Sequence, residues 1–236
     1  MSGIPAIEGS GLTLRYGGFM ALNRVDISVP RGEIRGLIGP NGAGKSTLMD
    51  VLSGRNAMAS GSVRIFGQEV SRLKPRQRRA HGLARSFQKT HIFSNLMVEQ
   101  QIRLAARHTA LDNTVEVIEA LGLAALADRQ ASDISYGDQR RLDLALALVG
   151  RPQVLLLDEP AAGLSLADSL ALSNLLRDLA QRWQVTVLIV EHDMEVIFSI
   201  CHRITVLQLG RVLAEGNAEE IRSNQEVVRA YLGSAA

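Results

Sequence analysis

The chain has 236 residues, 46% hydrophobic and 21% charged, enough to bury a real core as one large domain or two intimate lobes. Its net charge of +2 leaves no electrostatic footprint for nucleic acid, so no nucleic-acid partner is expected. One cysteine, Cys201, excludes an internal disulfide; the opening residues lack the pattern of a secretory signal, and no run of about 18 apolar residues exists to span a bilayer.

Residues 12–16 and 25–29 read as two short strands flanking the Gly17-Gly18 turn, and 62–66, closed by Gly67, as a third. These predict an antiparallel layer. Elsewhere strand and helix alternate, as a parallel sheet requires. Residues 34–38 form an apolar strand and 46–52 a helix. The densest basic run, at 72–79, contains Arg72, Lys74, Arg76, Arg78 and Arg79 and reads as a solvated surface. Helices are expected at 98–108 and 114–121, then a loop at 134–137 and a third helix at 138–149. Residues 154–157 and 185–190 are near-continuous apolar runs, the mark of strands covered on both faces, with a long helix at 166–183 between them. A short helix at 225–232 closes the chain. Cys201 lies in an apolar stretch and reads as a small buried hydrophobe. The fold class is therefore α/β. Residues 1–88 and 151–236 make an α/β core with an antiparallel β layer, and 89–150 make an inserted helical lobe.

The most informative stretch is 39–47, Gly-Pro-Asn-Gly-Ala-Gly-Lys-Ser-Thr, which fits the phosphate-binding loop pattern between a strand and a helix. Gly39, Gly42 and Gly44 let backbone N–H groups approach phosphate oxygens, with Asn41 inside the loop. The helix start, carrying Thr47, offers its positive end to the same anion. Lys45 supplies a point charge for the terminal phosphates, and Ser46 a hydroxyl for Mg²⁺. The chain is thus expected to bind a nucleoside triphosphate.

Asp158 and Glu159 end the apolar run at 154–157. A strand end beside a phosphate loop is where a Mg²⁺-holding aspartate belongs. On that reading Asp158 holds the metal and Glu159 polarises the attacking water; the other reading is an acidic turn after a core strand. His192 ends the next apolar strand, on the same rim as the phosphate loop. It either touches the γ-phosphate or caps the helix that follows. Gln88, at a strand end, either ligates Mg²⁺ or positions water, or it lies on the surface. Tyr16 either stacks on an adenine or packs. Ser135, Gly137 and Gln139 stand at or near the start of a helix. They form either a second anion site, completed by another copy, or an ordinary capped helix with Ser135 as its cap.

In this order the motifs resemble the ATP-binding domain of ABC ATPases over essentially the whole chain. The resemblance implies a P-loop NTPase core and assigns roles residue by residue. Tyr16 matches the adenine-stacking aromatic, 39–47 Walker A, and Gln88 the Q-loop glutamine. Ser135, Gly137 and Gln139 match parts of the signature, Asp158 and Glu159 Walker B and the catalytic glutamate, and His192 the switch histidine. Two such domains sandwich two ATPs, each between one Walker A and the opposite signature. Tyr136 and Asp138 replace a glycine and the glutamine of the common Leu-Ser-Gly-Gly-Gln, and Ser165 stands where many members carry aspartate. The stretches 135–142, 158–164 and the tail around Tyr231 look like the ATP-binding subunits of branched-chain amino acid importers. The resemblance implies ATP and Mg²⁺ as cofactors. It also implies a second ATPase subunit, transmembrane permease subunits, a separate solute-binding protein and a peripheral place on the cytoplasmic face of the plasma membrane. An exporter subunit and an ABC ATPase acting on DNA or ribosomes are the alternatives.

Overall fold

The computed structural model describes residues 3–86 and 92–232, Leu232 by its backbone. In chain order the strands are β1 (Ile7–Tyr16), β2 (Phe19–Val29), β3 (Ile34–Ile38), β4 (Ser60–Ile65), β5 (Gln68–Glu69), β6 (Leu83–Arg85), β7 (Val154–Asp158), β8 (Thr186–Val190), β9 (Arg203–Gln208) and β10 (Arg211–Gly216). The helices are α1 (Lys45–Ser53), α2 (Pro75–Ala80), α3 (Val98–Ala106), α4 (Thr114–Ala120), α5 (Tyr136–Leu148), α6 (Leu166–Trp183), α7 (Met194–Ile200), α8 (Ala218–Ser223) and α9 (Gln225–Leu232). An antiparallel sheet has the order β2-β1-β4-β5. A second sheet has the order β10-β9-β3-β8-β7-β6, parallel except where β10 turns back along β9.

The parallel strands separate two apolar cores by simple alternation. Leu155 and Leu157 of β7, with Val187 and Ile189 of β8, face one core. Val154, Leu156, Leu188 and Val190 face the other, which the antiparallel sheet and α1 cover. The first core also takes Val98 and Ile102 of α3, Val117 of α4 and Leu142 and Ala145 of α5. The helices at 98–148 therefore share one core with the sheet face beneath them. No helix among the described residues is long and apolar enough to cross a membrane.

The basic run at 72–79 departs from the expected solvated surface. Arg72, Lys74 and Arg76 are exposed, but Arg78 in α2 is only 1% exposed. It donates to Val51 O and Leu52 O at 2.7 Å each, to Ser71 O at 3.0 Å and to Leu73 O at 3.1 Å. Val51 and Leu52 lie in the last turn of α1, whose carbonyls have no partner within the helix. Arg79 donates likewise to Ala147 O at 3.1 Å and to Val149 O, at the end of α5. Charge at these two positions is helix capping. Cys201 is half-buried beside the first core, and burial pushes its thiol up to about 12.

Candidate active site

The phosphate loop leaves the fully buried strand β3 and enters α1. Two glycines are forced by close backbone approach. A Cβ on Gly39 would lie 2.2 Å from Leu207 O, and one on Gly44 (φ 106°) 2.6 Å from Ala21 O. The loop is braced from outside: Gly210 N, in the turn between β9 and β10, donates to Ala43 O at 2.9 Å. Lys45 folds back over the loop, Nζ donating to Gly39 O at 2.7 Å and Pro40 O at 3.2 Å. Burial pulls its pKa below the lysine range, opposed by Glu159 and Asp158. α1 carries neither a side-chain cap nor an acid in its first turn. By contrast α5, α6, α7 and α8 are capped by Ser135, Ser165, Asp193 and Asn217. The first-turn N–H groups of α1 thus suit an anion. Asn41, Gly42 and Ser46 are exposed there and Thr47 is half-buried.

Asp158 ends β7 with its side chain buried. Oδ2 meets Arg85 Nη2 at 3.4 Å, while Oδ1 has no hydrogen-bond partner among the described residues. Burial raises its pKa above the usual carboxylate range and Glu159 adds to the rise, against Arg85. Arg85 also donates to Asp50 Oδ1 at 2.6 Å and Ser53 Oγ at 2.9 Å, tying Asp158 to α1. Glu159 has φ of 52°, a left-handed conformation costing a non-glycine residue about 1–2 kcal/mol. Its N–H is held by Val190 O at 2.9 Å. His192 Nε2 donates to Glu159 Oε1 at 2.7 Å. The cap of α7 is Asp193, so His192 is free of the capping role considered for it. Behind them Glu191 is buried and accepts from Ala161 N at 2.8 Å; burial raises its pKa.

Tyr16, Phe19, Asn41, Lys45, Glu159 and His192 line a cleft of about 490 Å³ at the carboxyl ends of the parallel strands. Tyr16 and Phe19, partners in the β1–β2 hairpin, are 51% and 59% exposed and form an aromatic lip. Tyr16 Oη accepts from Asn56 Nδ2 at 2.6 Å. A larger cleft of about 1110 Å³ lies near the amino ends of β6 and β7, lined by Arg31, Arg76, Arg79, His81 and Arg151. It contains none of the expected site residues that lie among the described residues, and sites in open α/β sheets form at the carboxyl ends.

Ser135, Gly137 and Gln139 stand apart from this cleft's lining, at the start of α5. Ser135 Oγ accepts from Asp138 N at 3.1 Å and donates to Asp138 Oδ2 at 2.7 Å. Gln139 Nε2 donates to Ala131 O at 3.0 Å and Ile134 O at 3.3 Å, bracing the preceding loop. A Cβ on Gly137 would touch nothing closer than 3.8 Å, so packing within the chain does not demand glycine there. Ser165 caps α6, its Oγ accepting from Asp168 N at 3.2 Å. Gln88 lies outside the described residues. Sequence reading missed Arg85, Glu191, Phe19 and Gly210. Two had a visible signal: Glu191 adjoins His192, and Phe19 faces Tyr16 across the Gly-Gly turn.

The family description "ABC transporter" matches residues 22–162. The chain belongs to the ABC transporter family. Its carboxyl-terminal part, residues 211–236, also matches the description of a branched-chain amino acid ATP-binding cassette transporter. The high-affinity branched-chain amino acid transport ATP-binding protein LivG of Escherichia coli K12 is 38% identical over 98% of this chain and 99% of its own length. BraF of Pseudomonas aeruginosa, of the same description, is 36% identical over the same shares. Among solved structures, the ADP conformation of an ATP-binding cassette of an ABC transporter superposes with a TM-score of 0.88 at 26% identity, covering 97% of this chain and 99% of that one. The chain is an ABC transporter ATPase with the α/β cassette fold, and these likenesses favour it over an ATPase acting on DNA or ribosomes.

Proposed function

We propose that this chain is the ATP-hydrolysing subunit of an importer for branched-chain amino acids or related small solutes. The meeting of Lys45, Asp158, Glu159 and His192 beside an uncapped helix start carries the reading. The α1 N–H groups and Lys45 bind the phosphates, and Tyr16, with Phe19 beside it, takes the adenine face. Glu159 accepts a proton from the attacking water while the bond from the γ-phosphorus to the departing ADP oxygen breaks. His192 orients Glu159 through their hydrogen bond. Asp158 Oδ1, buried and without a hydrogen-bond partner among the described residues, and the exposed Ser46 hydroxyl fit a magnesium ion, which takes one or two protein oxygens when phosphate and water supply the rest. Bound there with Gln88, the ion would neutralise phosphate charge.

Ser135 and Gly137 serve the ATP of a second ATPase subunit, which is consistent with their place outside the cleft and with the space above Gly137. Permease subunits dock near residues 88–96, where Phe93 is 61% exposed on a loop that Gln101 holds by three hydrogen bonds. They place the chain on the cytoplasmic face of the membrane, and a separate binding protein delivers the solute. The match at 211–236 favours this importer over an exporter built on the same site. The test is reconstitution with the permease subunits in vesicles. ATP-dependent uptake of labelled leucine or valine is expected; ATP-driven export, or no uptake of any small amino acid or amide, would reject the assignment.

A further inference from the structure

Tyr136 stands at a glycine position of the common signature, and the proposed nucleotide contacts give its ring no task. The ring is 46% exposed and leans on the turn that follows Glu159. Its hydroxyl donates to Ala162 O at 3.0 Å and accepts from Arg140 Nη2 at 2.6 Å. Arg140 Nη2 donates to the same Ala162 O at 2.7 Å, and the guanidinium carbon lies 5.1 Å from the ring centroid. A Cβ on Gly163, at φ 83°, would come within 3.1 Å of the ring. Ala162 N in turn donates to Glu159 O at 3.1 Å. An unbroken path of hydrogen bonds therefore runs from the first turn of α5 to the backbone of Glu159. A glycine at 136 supplies neither the ring nor the hydroxyl.

We infer that Tyr136 is a positioning residue that, with Arg140, locks the 159–163 turn to the start of α5. The inference rests on the reading that Ser135 faces a second subunit's ATP and Glu159 serves hydrolysis in its own cleft. Ser135 and Glu159 then move as one body. ATP captured at one site of the dimer sets the glutamate of the other, because coupling passes through contiguous hydrogen bonds and packed groups.

Tyr136→Phe keeps the ring on Gly163 and under Arg140 but removes the hydroxyl; Tyr136→Gly installs the common signature residue. Both are measured in the assembled transporter. Expected for each is a kcat lower by about three- to tenfold, a KM for ATP within about twofold of the parent, and a Hill coefficient falling toward 1. Thermal melting of the phenylalanine variant stays unchanged, since the position is half-exposed. A parental kcat and Hill coefficient in either variant overturns the inference. Glu159→Gln is run beside them. If it hydrolyses ATP at the parental rate, the underlying reading fails and the inference with it. If it is inactive while Tyr136→Phe behaves as the parent, only the inference fails.

Discussion

Arg78 offers the sharpest test of how the fold supports the site. Its guanidinium is 1% exposed and satisfies four carbonyls, two of them at the carboxyl end of α1. Arg78→Met fills similar volume and removes the donor from Leu52 O, Ser71 O and Leu73 O, while Val51 O keeps only its bond from Gly54 N at 3.1 Å. Each hydrogen bond from a charged group contributes about 1.5–3 kcal/mol, so four give a gross loss of about 6–12 kcal/mol. Removing the charge also removes its desolvation penalty, of several kcal/mol, and water will reach the loop carbonyls of Ser71 and Leu73 more readily. The net loss should be about 3–5 kcal/mol, set against a typical domain stability of about 5–15 kcal/mol. Urea unfolding followed by circular dichroism measures it, with an unchanged m-value showing that the denatured state is the same. Arg78→Lys keeps the charge but not the planar fork, and should recover about half of the loss. A loss below about 1 kcal/mol for Arg78→Met would show that α1 does not depend on this cap.

Two further outcomes test the nucleotide site. Lys45→Ala should weaken ATP by about a hundredfold by calorimetry, the effect of losing a charged donor; unchanged affinity would remove Lys45 from the phosphate site. Tyr16→Ala should lose about 1–3 kcal/mol of ATP affinity, the scale of base stacking on an aromatic, and none for inorganic triphosphate. Equal losses for both ligands would remove the stacking role.

Much of this was legible because the informative residues are local and periodic. The parallel strands at 154–157 and 185–190 show as near-continuous apolar runs because both faces are buried, and the structure covers both. Strand β1 begins at Ile7, earlier than the expected 12, because bulged pairing around Gly9 and Leu12 breaks the alternation that marks a strand. The β9–β10 hairpin was hidden by its turn. Leu209 and Gly210 both have positive φ, a conformation usually flagged by Asn-Gly, and leucine gives no such signal. Arg78 and Arg79 read as surface because composition cannot show which cations meet helix ends across 26 or more residues of chain. The meeting of Glu159 with His192, 33 residues apart, follows from the adjacency of β7 and β8. Strand order, which fixes that adjacency, is not written in either motif.

The central claim is that Glu159 drives ATP hydrolysis in a site shared by two subunits. Glu159→Gln keeps the side chain's size and its capacity to accept from His192 while removing the base. In the assembled ATPase the account predicts that ATP binds with near-parental affinity, that turnover falls at least about a hundredfold, and that an ATP-bound dimer accumulates on a sizing column. Parental turnover, or lost turnover with no trapped dimer, would contradict it.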